Sequence, residues 1–147
     1  MQLGRVQASV SEVLGEAPSE WAMPCFPFTG AQAGMYVLPG EGTGVWVEFE
    51  QGDPAHPIWS GCWYGSAAEV PALALGASVG SSPVVIQTAG GNALVMSAAG
   101  GPAGAILLTT AAGAMISIGA NGIMIENGLG ASIALLGPSV EVNGVPV

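Results

Sequence analysis

Residues 83–147 read PVVIQTAGGNALVMSAAGGPAGAILLTTAAGAMISIGANGIMIENGLGASIALLGPSVEVNGVPV, a series of short apolar blocks separated by glycine steps. Glu126 and Glu141 are the only charged residues in this stretch. Short strands at intervals of roughly eight to twelve residues, each closed by Gly, Asn or Pro, are typical of repeated all-β architecture. The stretch therefore predicts a stacked β-prism or solenoid with these strand blocks: VVIQT (84–88), ALVMS (93–97), AILLTT (105–110), MISIG (115–119), GIMIEN (122–127), SIALLG (132–137) and SVEVNG (139–144).

Such a ladder needs partners, because one sheet of short strands has two faces and two edges that a chain of this length cannot cover. Three copies wound about a common axis solve both problems, since their inward side chains share one core and each edge pairs with a neighbouring chain. We therefore expect a parallel homotrimer whose C-terminal part is an intertwined triple-stranded β-helix, or β-prism. Small Gly, Ala and Ser corners suit the tight bends of a narrow prism.

Composition divides the chain in two. Eight of the ten acidic residues, all four Trp, both Cys, Arg5 and His56 lie before residue 83, so the front half resembles an ordinary folded domain. The predicted boundaries are an OB-like domain at 1–66, a connecting segment at 67–82 and a trimeric needle at 83–147. The connecting segment is rich in small residues and suits either a flexible linker or a short helix around residues 72–75.

Charge and hydropathy exclude several classes of function. A net charge of −9 with one basic residue argues against nucleic acid and against an anionic membrane surface, because both need several Lys or Arg. Mean hydropathy is +0.59, yet no apolar run approaches the ~20 residues of a spanning helix. We see no signal peptide at Met1 and expect synthesis in the cytoplasm, which the resemblance given below implies to be bacterial. Cys25 and Cys62 lack zinc-ligand spacing and are predicted to be core thiols, with a disulfide left open.

The front half contains several short strands with Gly/Pro turns. Residues 2–10 alternate as a half-buried first strand, and in residues 45–50 the side chains of Val45, Val47 and Phe49 face opposite to those of Trp46, Glu48 and Glu50. Gly52-Asp53-Pro54 predicts a tight turn before a returning strand at 57–65. About five such strands fit a small barrel of the OB type.

The stretch PGEGTGVWVEFEQGDPAHPIWSGCWYG (39–65) resembles the signature of the phage baseplate protein V and VgrG family, the central spikes of contractile tails and contractile injection systems. The family's opening strand is similar to residues 3–6, its loop of aromatic and proline residues to 21–34, and its terminal β-helix repeat to 131–144. The order of these motifs, an OB-like domain followed by a prism, extends the resemblance over nearly the whole chain.

This resemblance implies a mechanical function. The OB-like domain would sit on a baseplate hub, and the prism would project as a needle that punctures the target envelope when the sheath contracts. Family members with their own metal-bound tip carry a His-x-His motif, whereas this chain has no histidine after His56. The resemblance implies instead a separate PAAR-like cap protein, with these docking candidates at the tip: Asn143, Gly144, Val145, Pro146 and Val147.

No catalytic, cofactor or metal site is expected, so the protein is predicted not to be an enzyme. Several front residues are candidates for contacts with the hub or within the trimer: Trp46, Glu48, Glu50, Asp53, His56 and Trp59. In the needle, alternation places Ile123 and Ile125 inward and Glu126 and Glu141 outward, either as solvated acids or as a cation-binding ring. In residues 105–110 either parity exposes a Leu or Ile, which suggests a shaft that passes through lipid or is sheathed by a partner.

Two other classes of function remain open. A trimeric fibre or adhesin with a receptor-binding front domain has the same architecture, although it would normally carry a secretion signal or anchor. A β-solenoid hydrolase needs a cleft with paired carboxylates, and the needle holds only two acids, far apart in sequence. Whether the machine is a phage, a tailocin or a bacterial injection system is not encoded in a recognisable motif of this chain.

Overall fold

The computed structural model describes residues 3–76, 82–101 and 104–147 and divides into two compact units, Met1–Glu69 and Val70–Val147. Strands dominate both units and the helices are short, as the all-β prediction requires. The connecting segment contains a short helix, one of the two alternatives that the sequence left open, and residues 77–81 of that segment lie outside the described residues. Each unit is described separately below.

The first unit is built around a three-stranded sheet. Its elements are α1 (Ser11–Leu14), β1 (Met23–Pro24), β2 (Thr29–Gly30), β3 (Ala33–Gly34), β4 (Gly44–Phe49), a 3-10 turn (Glu50–Gly52), β5 (Pro57–Trp63) and a second 3-10 turn (Ala67–Glu69). The sheet order is β1-β5-β4, with β1 parallel and β4 antiparallel to β5, and β2 and β3 form a separate hairpin.

The predicted first strand is not continuous. Of its residues 3–10, which the structure describes, only Val6 and Ser9 form bridges, to Ala22 and Pro18 respectively. Gly4 has a positive φ of 78° and α1 begins at Ser11, so the extended run between them is too short for a full ladder. The described residues therefore form a smaller set of ladders than the five strands expected for an OB barrel.

A β-bulge sets the two faces of the β4–β5 pair. Trp46 pairs with Gly61 while the next residue, Val47, pairs with Trp59, so Ser60 is the extra residue on β5. The Ser60 hydroxyl donates to Glu48 Oε1 at 3.0 Å. A bulge of this kind changes the side-chain alternation along one strand. Here it places Trp63 on the opposite face from Trp59, which pairs with Val47 and is buried.

The second unit is an antiparallel meander. After α2 (Ala72–Leu75) the chain forms eight strands, each paired with the next in sequence order. All seven predicted blocks form strands, and the last two-residue strand was missed. Their bounds are β6 (Val84–Gln87), β7 (Ala93–Gly101), β8 (Gly104–Thr109), β9 (Met115–Gly119), β10 (Gly122–Glu126), β11 (Ser132–Leu136), β12 (Ser139–Val142) and β13 (Val145–Pro146).

Short connections explain the meander, because two to five residues can join only antiparallel neighbours. Strands β7–β12 therefore find their lateral hydrogen-bond partners within the same chain. The faces of this sheet, and its terminal strands β6 and β13, are the surfaces that a partner could cover.

Candidate functional site

One face of the C-terminal sheet is entirely apolar at the paired positions whose side chains the structure describes. Residues directly opposite each other in antiparallel strands project to the same face, so the register assigns every side chain to a side. Two rows run across the eight strands without a polar member, and we call them together the apolar face: Val84, Ile86, Leu94, Met96, Ile106, Leu108, Ile116, Ile118, Ile123, Ile125, Ile133, Leu135, Val140, Val142 and Val145.

The other face, which we call the mixed face, carries both charges of the needle. Its paired residues include Val85, Gln87, Ala93, Val95, Leu107, Thr109, Met115, Ser117, Gly119, Gly122, Met124, Glu126, Ser132, Ala134, Leu136, Ser139, Glu141 and Pro146. The predicted parity is confirmed, since Ile123 and Ile125 lie on the apolar face and Glu126 and Glu141 on the mixed one. Leu107 is the large apolar side chain of the 105–110 block that faces away from the apolar side.

Hydropathy alone favours burial of the apolar face, but the sheet of the single chain shows the reverse. Most side chains of the apolar face are more than one third exposed, whereas the buried residues of the sheet, Ala93 and Ala134, lie on the mixed face. Monomeric proteins rarely expose a contiguous apolar patch of more than a few hundred Å². The exposure of the apolar face therefore indicates an interaction surface that a partner chain covers.

The turns of the sheet form two edges of different character. On the first, the long-turn edge, turns 88–92, 110–114 and 127–131 each span five residues. On the second, the short-turn edge, two residues join paired strands at 120–121 and 137–138. Because the strands alternate in direction, the long turns stack along one side of the sheet, which also carries the two-residue turn 143–144, and turns 120–121 and 137–138 lie along the other.

The long turns share one hydrogen-bond pattern that the sequence analysis missed. In each, a side-chain oxygen of the first residue accepts from the backbone N–H of the fifth: Thr88 from Asn92 at 3.2 Å, Thr110 from Ala114 at 3.2 Å and Asn127 from Ala131 at 3.0 Å. The fourth residue is a glycine with positive φ in all three turns. A recurrent Thr/Asn-x-x-Gly-x pattern in the sequence was the signal that could have revealed them.

Successive long turns contact one another. The Ala111 N–H donates to Asn92 Oδ1 at 3.2 Å, which joins the first long turn to the second. After the third long turn, the Ser132 N–H donates to Asn143 Oδ1 of the last, two-residue turn at 2.8 Å. Gly128 lies so close to the preceding turn that a Cβ would stand 2.7 Å from the Ala112 carbonyl oxygen. The long-turn edge is therefore a continuous column, in which each turn supports the next.

The front candidates lie in different surroundings. Trp46 is 63% exposed and Glu48 accepts from Ser60, both on the outer side of β4. Glu50 and His56 line a surface pocket of about 380 Å³ together with Arg5, Glu20 and Trp21. The structure thus brings Glu50 and His56 together, and nothing in the described contacts joins them to Trp46.

Asp53 and His56 form a local turn pair. Asp53 Oδ1 accepts from the Ala55 N–H at 2.9 Å, and Asp53 Oδ2 lies 3.1 Å from His56 Nδ1. These interactions, the backbone hydrogen bond first, lower the pKa of Asp53 below its ordinary value of 3.8. Both side chains are more than half exposed, so this pair shapes a surface turn.

Trp59 was wrongly assigned to a surface contact. Its side chain is 5% exposed, its indole N–H donates to the Gly4 carbonyl at 3.0 Å, and its ring meets Phe26 edge-on at 5.6 Å. Its pairing with Val47 places this residue on the inner face of the sheet. Cys25 and Cys62 were also wrongly predicted, because both are exposed free thiols instead of core residues.

The tip candidates gather on the last hairpin. Asn143 (φ 52°) and Gly144 (φ 75°) form the two-residue turn between β12 and β13, and the Val147 N–H donates to the Val140 carbonyl at 3.0 Å. Val145, Pro146 and Val147 are exposed. Pro146 lacks an N–H, so this terminal strand offers few donors for a further strand and presents mainly apolar side chains.

Within the described residues, no three His, Cys, Asp or Glu side chains are grouped as a metal would require. No helix in the described ranges has the length and hydropathy needed to span a bilayer.

Two family models match the chain consecutively. Residues 1–64 match the type VI secretion system/phage-baseplate injector OB domain, and residues 83–146 match the phage baseplate V C-terminal trimerisation domain. Together they leave out only residues 65–82 and Val147. The chain belongs to the phage baseplate V family of baseplate spike proteins. No curated protein matches it.

Proposed function

We propose that this protein is the structural central spike of a contractile tail or injection machine, that it acts as a homotrimer, and that it has no enzymatic activity. In this proposal the front domain sits on the baseplate hub and the needle punctures the target envelope on sheath contraction. The observation that carries the proposal is the exposed apolar face of the C-terminal sheet, within the part of the chain that matches a trimerisation domain.

Covering the apolar face supplies the driving force for assembly. Burial of an aliphatic side chain stabilises by about 1.5–3 kcal/mol when it is complete. The thirteen apolar-face residues that are more than a third exposed therefore contribute on the order of 10 kcal/mol per chain, before the entropic cost of association. Isolated strands with this surface would aggregate, so trimerisation and solubility are coupled.

The dimensions of the sheet suit a closed prism of three. Paired stretches of four or five residues correspond to about 15 Å of extended strand. A triangle with sides of that length places each sheet about 4 Å from the axis, near half of the ~10 Å between packed sheets. The apolar side chains of three copies would then meet at the centre without leaving a channel.

The mixed face would form the outside of the needle. Glu126 and Glu141 repeat three times around such a shaft and keep it in solution, which favours the solvated interpretation over a ring of ligands on the axis. Eight strands at about 4.8 Å give a shaft of about 34 Å. Backbone hydrogen bonds repeat along it, and this makes it stiff against an axial load.

The two ends of the spike would bind different partners. We place the hub at the front domain, where Trp46 and the Glu50–His56 pocket are exposed, and a PAAR-like cap at the last hairpin, where Val145 and Val147 present apolar side chains. Contact with the target membrane would be transient. The particle, whether a virion or an injection machine, would incorporate the protein after cytoplasmic synthesis.

The decisive experiment compares two substitutions on one strand. Ile116→Asp places a carboxylate on the apolar face, and Ser117→Asp places the same group on the mixed face of β9. Multi-angle light scattering at one fixed concentration should give three chains for the wild type and for Ser117→Asp. Ile116→Asp should lose the trimer, because three buried carboxylates near one axis cannot be paired.

Fluorescence of the four tryptophans, all in the front half, checks independently that Ile116→Asp retains a folded front domain. A monomeric wild type would disprove the trimeric spike. Loss of the trimer in Ser117→Asp but not in Ile116→Asp would disprove the assignment of the faces.

A further inference from the structure

We propose that Leu129 forms a contact between neighbouring copies at each corner of the prism, where it packs against turns 120–121 and 137–138 of the next copy. The inference rests on the trimer proposed above and specifies which surfaces meet. Leu129 is 90% exposed, the most exposed of the large apolar residues of the described chain. Solubility does not explain why a leucine is held in solvent at the tip of a turn.

The long turn that carries Leu129 is built to hold it outward. Asn127 Oδ1 accepts from the Leu129 N–H at 2.8 Å and from the Ala131 N–H at 3.0 Å, while Gly128 and Gly130 both have positive φ. The turn is thus fixed before any partner arrives, so binding requires little ordering of the backbone.

The three long turns share one hydrogen-bonded framework but differ in the size of their third residue. The third residue of the long turns is Gly90 in the first, Ala112 in the second and Leu129 in the third. All three turns have the same clamp from first to fifth residue. The hydrogen bonds that shape the turn do not require a large side chain at this position, so its role lies outside the turn.

Cyclic symmetry identifies the partner surface. When three identical sheets close head to tail, the long-turn edge of each copy meets the short-turn edge of the next. Rotation alone keeps equal residues at equal height. Turn 127–131 joins β10 to β11, so it lies between the neighbour's turn 120–121, which joins β9 to β10, and turn 137–138, which joins β11 to β12. Each is about 5 Å away along the axis.

The short-turn edge can accept a leucine. Ala120 and Pro138 are exposed and apolar, and a Cβ built on Gly137 would have no atom within 4 Å. Neither turn carries a charge. Asn121, the other residue of turn 120–121, is polar and exposed. The contact therefore places the Leu129 side chain beside Ala120 and Pro138, while the Asn121 amide can stay in solvent.

Disulfide trapping tests this contact. Both native thiols are first removed as Cys25→Ser and Cys62→Ser, and Leu129→Cys is then combined with Ala120→Cys or with Pro138→Cys. All these positions are exposed, so the substitutions do not disturb a core. After mild oxidation, a covalent trimer is expected on a denaturing gel without reductant, since a disulfide forms only when the two Cα atoms lie within about 7 Å.

The matched control is Leu129→Cys combined with Ala112→Cys, because both residues lie on the long-turn edge and cannot link neighbours in a ring. Native mass before oxidation is measured for every variant. A native trimer with no covalent trimer from either cross-edge pair, or with equal cross-linking in the control, would overturn the corner contact and leave the spike intact. A monomeric native mass would overturn the spike itself.

Discussion

In the C-terminal sheet, the close approach of neighbouring strands restricts which residue can occupy some positions. Gly122 begins β10 with a φ of +139°, and a Cβ at this position would overlap the backbone carbonyl oxygen of Leu135 on β11. Gly137 also has a positive φ, +57°, but open space surrounds it. A comparison of the two positions therefore separates the free-energy cost of a side chain at positive φ from the cost of a steric clash.

Gly122→Ala is expected to destabilise the needle by about 3 kcal/mol, from strain plus overlap, and Gly137→Ala by about 1 kcal/mol, from strain alone. Denaturation followed by circular dichroism at one protein concentration measures both, since the stability of an oligomer depends on concentration. Equal losses in the two variants would mean that Gly122 tolerates a side chain by a shift of β11.

In the front domain, Trp59 combines burial with a hydrogen bond. Trp59→Phe removes the indole donor to the Gly4 carbonyl and is expected to lower the free energy of unfolding by about 2 kcal/mol. Trp46→Phe, at an exposed position, should leave the midpoint of denaturation unchanged. The remaining tryptophans report the transition in both variants. If Trp59→Phe leaves the free energy of unfolding unchanged, water or a backbone movement satisfies the Gly4 carbonyl oxygen.

At the scale of elements, the long turns decide where strands end. Asn127→Ala removes the acceptor of two backbone N–H groups and is expected to cost about 1 kcal/mol, a modest value because water reaches this turn. Asn127→Asp keeps a side-chain oxygen in place and serves as the control. Thermal melting of the trimer distinguishes them, and an Asn127→Ala variant as stable as wild type would contradict the clamp.

The strands of the needle were predictable because apolar alternation and glycine turns agree at every block. Ile123 and Glu126 could be assigned to opposite faces from parity alone, before any register was known. Strand β13 escaped notice although Asn143-Gly144 is a strong hairpin signal, since only two residues of the following strand pair.

The front domain was harder to predict for a local reason. Strands β1, β2 and β3 have two residues each, too few to generate a period. Trp59 pairs with Val47, on the face opposite to Trp46, so its burial follows from a register between β4 and β5 that the sequence analysis did not assign. Leu129 was overlooked because turn chemistry, and not hydropathy, defines its position.

On the scale of the whole molecule, the repeat of the long turns makes a specific deletion possible. Removal of residues 110–126 joins Thr109 directly to turn 127–131, so that Leu108 would face Ile133 and Ile106 would face Leu135 on one apolar face. The shortened protein is expected to remain trimeric by light scattering, with a shaft about 10 Å shorter.

Removal of residues 110–119 is the control for this deletion. It takes out one strand instead of two and moves every later long turn to the opposite edge, so we expect it to lose the trimer. If both deletions assemble equally well, the order of turns along the edges has no part in assembly.

Because the five-residue turns share one hydrogen-bonded clamp, the coding sequence between two such turns can be deleted or duplicated without a change in the turns themselves. Duplication of one hairpin would add a fixed increment of reach while every contact around the axis is preserved, and loss of a hairpin would subtract the same amount. Spikes built on this plan should differ in length by whole steps, and selection can match the reach of the machine to the thickness of an envelope without redesigning its core.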